Sequence, residues 1–306
     1  MHLPASSGLY FGPRCRHQLC EHLGNTSLHK AAGRQAEQVV RRLVDRAAAV
    51  NARNVDGNTP LRLAVKSKVY QSASLLLDRG ANVRHNNNTA NDNTPLFKSG
   101  VTRTVHALFE NGAFLDLQNK DLETVLHDAV KYRRDELVSY LMTRAPELCT
   151  VPDKDGNLPV HFVRDRSILK LLIQSGDEQL QARNYHGTTP LLSVVSFQSK
   201  NSCSRLSDVV QTMALHNVTL IQLRDTFGNN ALHIAAHSCY SNKNDEWCDP
   251  FSIPETLVLN GCDINNQNKF GQTPLHMRKY RESIINCLRL GARPDVEDKL
   301  GRNFFH

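Results

Sequence analysis

The chain has 306 residues, with 37 Lys and Arg against 30 Asp and Glu and a formal charge of +7. Hydrophobic residues make up 40% and mean hydropathy is −0.43, with no run near the roughly 18–20 apolar residues that span a bilayer, so a membrane-spanning helix is excluded. The basic residues are scattered, which favours a solvated surface with a modest excess of base over a nucleic-acid-binding patch.

Residues 1–24 are expected to be an N-terminal tail of poor order. Pro4, Gly8, Gly12, Pro13 and Arg14 interrupt any apolar signal core, so secretion is not expected. The eight cysteines should then be reduced thiols, in the cytoplasm or the nucleus. Cys15, His17, Cys20 and His22 lie within eight residues. Structural zinc wants a distant second ligand pair so that the chain can wrap the ion; none lies nearby, and no metal is expected.

From Asn25 onward one segment recurs: Asn25-Thr26-Ser27-Leu28-His29, Gly57-Asn58-Thr59-Pro60-Leu61, Asp92-Asn93-Thr94-Pro95-Leu96 and Leu122-Glu123-Thr124-Val125-Leu126-His127. It continues as Gly156-Asn157-Leu158-Pro159-Val160-His161, Gly187-Thr188-Thr189-Pro190-Leu191 and Gly228-Asn229-Asn230-Ala231-Leu232-His233. The clearest copy is Gly271-Gln272-Thr273-Pro274-Leu275-His276, and a partial one, Gly301-Arg302-Asn303-Phe304-Phe305-His306, follows. Gly271 suits a backbone position of positive φ. Thr273 is a helix N-cap, and Pro274 falls at the first helical position, where its missing N–H costs nothing. The segment therefore turns, caps and launches a helix.

Successive copies, counted from Ser27 at the proline slot, lie 33, 35, 30, 34, 31, 41, 43 and 30 residues apart. Such a period signals a solenoid. Second helices follow, with apolar spacing at Val39, Val40, Leu43 and Val44, at Leu137, Val138 and Leu141, and at Leu169, Leu171, Leu172 and Ile173. Alanines in the first helices (Ala31, Ala32, Ala64, Ala129, Ala235, Ala236) should let helices approach closely. The distance from Pro60 to the closing Gly80 is 20 residues, but it is 17 from Pro95 to Gly112, Pro159 to Gly176 and Pro274 to Gly291. Three residues is close to one helical turn, so these repeats should shorten a helix or the turn between helices. Two others carry polar insertions near Phe197–Arg205 and Ser238–Phe251; the second holds Tyr240 and the single tryptophan, Trp247. Arg84-His85 through Asn93 is too polar for a helix and should form an extended finger.

The motif resembles the Thr-Pro-Leu-His of ankyrin repeats. Arg79-Gly80-Ala81-Asn82-Val83, Asn111-Gly112-Ala113, Asn260-Gly261-Cys262-Asp263-Ile264-Asn265 and Leu290-Gly291-Ala292 are similar to that family's Gly-Ala-Asp-Val-Asn, in which Gly closes a helix in the left-handed conformation. The resemblance covers residues 25–306, in about eight repeats and a stub at Phe304 and Phe305, unless the sequence is a piece of a longer chain. It implies an all-α solenoid of helix-turn-helix units with projecting β-hairpin-like loops. It also implies that His29, His127, His161, His233, His276 and His306 are structural, bonding around the cap and to neighbouring loops. His233 and His237 share a helical face with Cys239 and Cys248 beyond them, yet the capping role claims His233 and the rest are poorly spaced for zinc. Cys262, in a small-residue slot, reads as core.

No phosphate loop, nucleophile elbow or H-E-x-x-H occurs, so no catalytic residue, cofactor or metal is expected. The family resemblance implies a monomer that binds another protein on a concave face of loop tips and first helices. Tips are expected at Val55, Ala90, Lys120, Lys154, Tyr185, Thr226, Lys269 and Lys299. Lys120, Lys154, Tyr185, Phe227, Lys269, Phe270 and Trp247 form the candidate contact set, suited to an acidic peptide or protein; a merely solvated loop row fits equally well. Asn51 and Asn265 match the family's asparagine-hydroxylation slot. A scaffold or adaptor leads the functional readings, followed by the recognition arm of a larger protein, such as a ubiquitin-ligase adaptor or a channel, and by a nucleic-acid-associated regulator.

Overall fold

The computed structural model describes residues 24–84, 102–174, 176–197, 203–238, 252–278 and 281–305. The N-terminal tail, the finger beyond Arg84, the Pro95 copy of the motif, the central residues of both insertions with Tyr240 and Trp247, and His306 lie outside them. The chain forms two compact units, Met1–Lys120 and Asp121–His306.

In the first unit, α1 (Ser27–Ala32) and α3 (Pro60–Lys66) pack side by side, each against its own second helix, α2 (Glu37–Asp45) and α4 (Tyr70–Asp78). Helix α5 (Thr102–Glu110) continues the outer row beyond α4. In the second unit the inner row runs from α6 (Val125–Lys131) through a 3-10 turn (Pro159–Phe162), α9 (Pro190–Ser196) and α11 (Ala231–Ser238) to a second 3-10 turn (Pro274–Met277). The outer row is α7 (Asp135–Arg144), α8 (Arg166–Ile173), α10 (Cys203–His216) and α12 (Ser252–Leu259); α13 (Arg281–Arg289) packs on the second 3-10 turn. The fold is an all-α solenoid, and no strand is present among the described residues.

The motif chemistry explains the inner row. The hydroxyls of Thr59 and Thr189 accept from the backbone N–H of Arg62 and Leu192 (3.3 and 3.4 Å), and Pro60 and Pro190 occupy the first helical turn. Leu61, Leu126, Leu191, Leu232 and Leu275 are almost wholly buried, as are the six inner-row alanines. Gly271 has φ +78°, and Gly80, Gly261 and Gly291 close their helices at positive φ.

Two expectations need correcting. Pro159 and Pro274 launch a single 3-10 turn where a helix was predicted. These are two of the three short repeats, so in them the three missing residues come out of the first helix. In α2 only Val40 is fully buried, whereas Val39 is 49% exposed, because α2 presents one narrow stripe to its neighbours. The expected hairpin-like loops are turns closed by one Asx residue each: Asp153, Asn184, Asp225 and Asn268 accept through Oδ1 from the N–H four residues on, at 2.8–3.0 Å. Phe304 is half-buried against Phe305 (ring centres 5.5 Å apart), and Phe305 is exposed.

Candidate protein-binding loop row

The projecting loops of the second unit are strung together by backbone hydrogen bonds between tips. The N–H of Lys154 donates to Asp121 O, Tyr185 to Asp155 O, Lys269 to Phe227 O and Lys299 to Phe270 O, all at 2.9–3.0 Å. Between the Tyr185 and Thr226 tips Arg183 bridges, its Nη1 donating to the carbonyls of Gly187 and Arg224. The row is close-packed at its glycines: a Cβ on Gly156 would lie 2.7 Å from the Tyr185 ring, and one on Gly271 would lie 2.7 Å from Lys299 N. Side-chain amides add a second ladder, Asn184 donating to Asn157 and Asn268 to Asn229 (2.8 and 2.9 Å).

The tips are exposed. Phe227 and Phe270 stack with ring centres 6.5 Å apart and an interplanar angle of 28°, and both remain more than half exposed. Tyr185 is 74% exposed while one edge lies over Gly156. Lys269 stands beside this aromatic pair. Lys154 does not add an open charge to the row, because its Nζ donates to Asp121 Oδ1 at 2.7 Å and the pair shifts both groups toward their charged forms. Lys120 is exposed and belongs to the first unit.

The histidines are occupied structurally. His29 Nδ1 lies 2.9 Å from Thr26 Oγ1 and accepts from Thr26 N–H, while Nε2 donates to Asn58 O at 2.8 Å. His127, His161, His233 and His276 repeat the arrangement, with Nε2 donating to the carbonyls of Asn157, Thr188, Gln272 and Arg302. This geometry requires neutral imidazole with the proton on Nε2. Burial accordingly holds His29, His127, His161 and His233 below the usual value of 6.5, His233 at about 4. With both ring nitrogens engaged, His233 has no lone pair left to ligate a metal ion. Cys239 and Cys248 lie outside the described residues, as do Cys15, His17, Cys20 and His22. Cys262 is buried core, its thiol pushed up to about 12 by desolvation.

Asn51 and Asn265 have a role that the spacing did not reveal. Asn51 Nδ2 donates to Gly80 O (3.2 Å) and its Oδ1 accepts from Asn82 N–H (2.8 Å). Asn265 makes the same pair of bonds to Gly291 O and Arg293 N–H. Arg84 and Gln222, in the same slot, donate to Gly112 O and Gly261 O. Each staples its loop to the carbonyl of the glycine just past the end of the next repeat's second helix.

Stacked helical hairpins, histidine-locked caps and tip-to-tip loops define a helical-repeat protein. Two models for ankyrin repeats match the chain, one described as three copies over residues 7–87 and one as many copies over residues 108–163. The chain belongs to the ankyrin-repeat family. It is 23% identical over 331 aligned residues to human transient receptor potential cation channel subfamily A member 1, covering 94% of this chain and 29% of that one. It is 32% identical over 231 residues to human neurogenic locus notch homolog protein 1, covering 74% of this chain and 8% of that one. The ankyrin repeat domain of human ASB11 superposes with a TM-score of 0.50 at 20% identity, covering 88% of this chain and all of that domain. The chain spans less than a third of the length of the first two relatives. No helix among the described residues is long and apolar enough to cross a membrane.

Proposed function

We propose that this chain is a non-catalytic protein-recognition module, a scaffold or adaptor that grips an acidic partner through the loop tips of its second unit. The observation that carries the reading is the exposed, stacked pair Phe227 and Phe270 beside Lys269, flanked along the row by Tyr185. Aromatic side chains held rigid on a surface are the usual anchors of protein interfaces, and the backbone bonds between tips fix these in advance of binding. Of the tip lysines, Lys269 outranks Lys154, whose charge is already met by Asp121. Because relatives such as the channel are several times longer than the matched segment, the module also fits the recognition arm of a larger protein. Hydroxylation at Asn51 or Asn265 belongs to the same reading; intact-protein mass spectrometry reads it as one added oxygen.

The test is affinity capture with the full chain and with a Tyr185→Ala/Phe227→Ala/Phe270→Ala variant, at low and high salt. A discrete protein held by the wild type at high salt and lost by the variant, with circular dichroism unchanged, supports the reading. Equal capture by the two proteins moves the binding surface elsewhere. Recovery of nucleic acid alone, lost as salt rises, replaces the adaptor with the nucleic-acid regulator.

A further inference from the structure

A second surface lies where first and second helices join in the second unit, away from the loop tips. In the short repeat that opens at Pro159, the chain leaves its 3-10 turn at Val163 and Arg164 folds back over it. Arg164 Nη1 donates to the carbonyls of His161 and Val163 (3.3 and 2.7 Å). The guanidinium carbon sits 4.1 Å from the centre of the Phe197 ring. Nε is sealed from water and meets no acceptor. No carboxylate among the described residues lies within ion-pair distance of this guanidinium. Burial, with nothing opposing it, draws its pKa down to about 10.

A cation desolvated without a counter-ion is costly. Packing alone offers a poor reason for it, since an apolar side chain would cover Phe197 without that cost. The cations around it are exposed: Arg166 follows Asp165, and Arg133 and Arg205 both act on the Asp165 carboxylate. The other charges at this edge are already met. Lys131 pairs with Glu123 and lies 4.0 Å from the Phe162 ring centre, and Arg134 pairs with Asp128. Asp165 caps α8 through Ser167, whose hydroxyl also reaches Asp135.

We infer that Arg164, with Arg133, Arg166, Arg205 and the exposed ring of Phe197, forms a docking site for a short acidic segment of a partner protein, Arg164 receiving one of its carboxylates. Nη2 is the edge left for that carboxylate, because Nη1 serves the two carbonyls and Nε is buried. Asp135 and Asp165, interspersed among the arginines, oppose a continuous phosphate chain and suit isolated acidic side chains. The site is independent of the loop-tip row.

Fluorescence anisotropy with labelled octaglutamate, on the full 306-residue chain at about 0.15 M salt, tests the assignment. Arg164→Gln should weaken binding at least tenfold, while Lys269→Ala leaves it unchanged. The melting temperature of Arg164→Gln without peptide should equal or exceed that of the wild type, since a half-buried charge with no carboxylate partner among the described residues has been removed. Undiminished binding by Arg164→Gln, no binding by the wild type, or displacement of the peptide by a single-stranded oligonucleotide more readily than by unlabelled octaglutamate would each overturn it. If Arg164→Gln proves unfolded, the arginine is structural and the assignment fails unless an Arg133→Gln/Arg205→Gln variant, altered only at exposed side chains, loses the peptide while staying folded.

Discussion

The Nε2 of His233 lies 2.9 Å from the carbonyl oxygen of Gln272, thirty-nine residues further along the chain. One imidazole thus closes its own helix cap and fixes the loop of the next repeat, and the same bond recurs at His29, His127, His161 and His276.

That arrangement makes the fold acid-sensitive. The four buried histidines with depressed folded pKa values titrate first in the unfolded chain. Their contribution is whole above the unfolded value of 6.5 and is lost as pH falls from there toward the folded values, about 4 for His233. Each lowers stability by up to about 1.4 kcal/mol per pH unit within that window. The urea midpoint should fall steeply between about pH 7 and about pH 5; a flat profile would show that the imidazoles take up protons as readily in the folded chain as in the unfolded one.

Gly271→Ala and Gly291→Ala separate two costs. Both glycines have positive φ, +78° and +90°, but only Gly271 faces a neighbour, with Lys299 N 2.7 Å from an added Cβ. Each variant should lose about 1–2 kcal/mol for the left-handed conformation. Gly271→Ala should lose measurably more by chemical denaturation, because a backbone atom of the next loop has to move.

Asn265→Ala removes the staple to Gly291 O and Arg293 N–H and should cost about 1–2 kcal/mol, the net worth of two neutral hydrogen bonds. Asn265→Asp keeps the acceptor and loses the donor, so it should fall between the wild type and the alanine variant. Equal stability of all three proteins would remove the staple from the account.

Leu126 is wholly buried and Val39 is half exposed. Leu126→Ala should cost about 2–5 kcal/mol, whereas Val39→Ala should stay within about 0.5 kcal/mol of the wild type. Denaturant midpoints of the two variants check this, and a large loss at Val39 would restore it to the core face.

Much of this protein was legible locally. Thr-Pro at a cap, Gly at a left-handed turn and the Nδ1 of a histidine three residues past the cap each act through atoms a few residues away, so the motif itself dictated them. Its period then dictated the stacking of hairpins, and the 17-residue spacing dictated that some repeats are short. Which part was shortened had no local answer. A 3-10 turn at Pro159 or Pro274 satisfies its caps as well as an α-helix does. The pairing of Lys154 with Asp121, the stacking of Phe227 on Phe270 and the staples from Asn51 and Asn265 join residues 26 to 43 positions apart. Their distances depend on the register between neighbouring repeats. Arg164 shows the limit most clearly: its sequence neighbours mark it as an ordinary surface arginine, and only the packing of Phe197 and the turn around it seals its Nε from water.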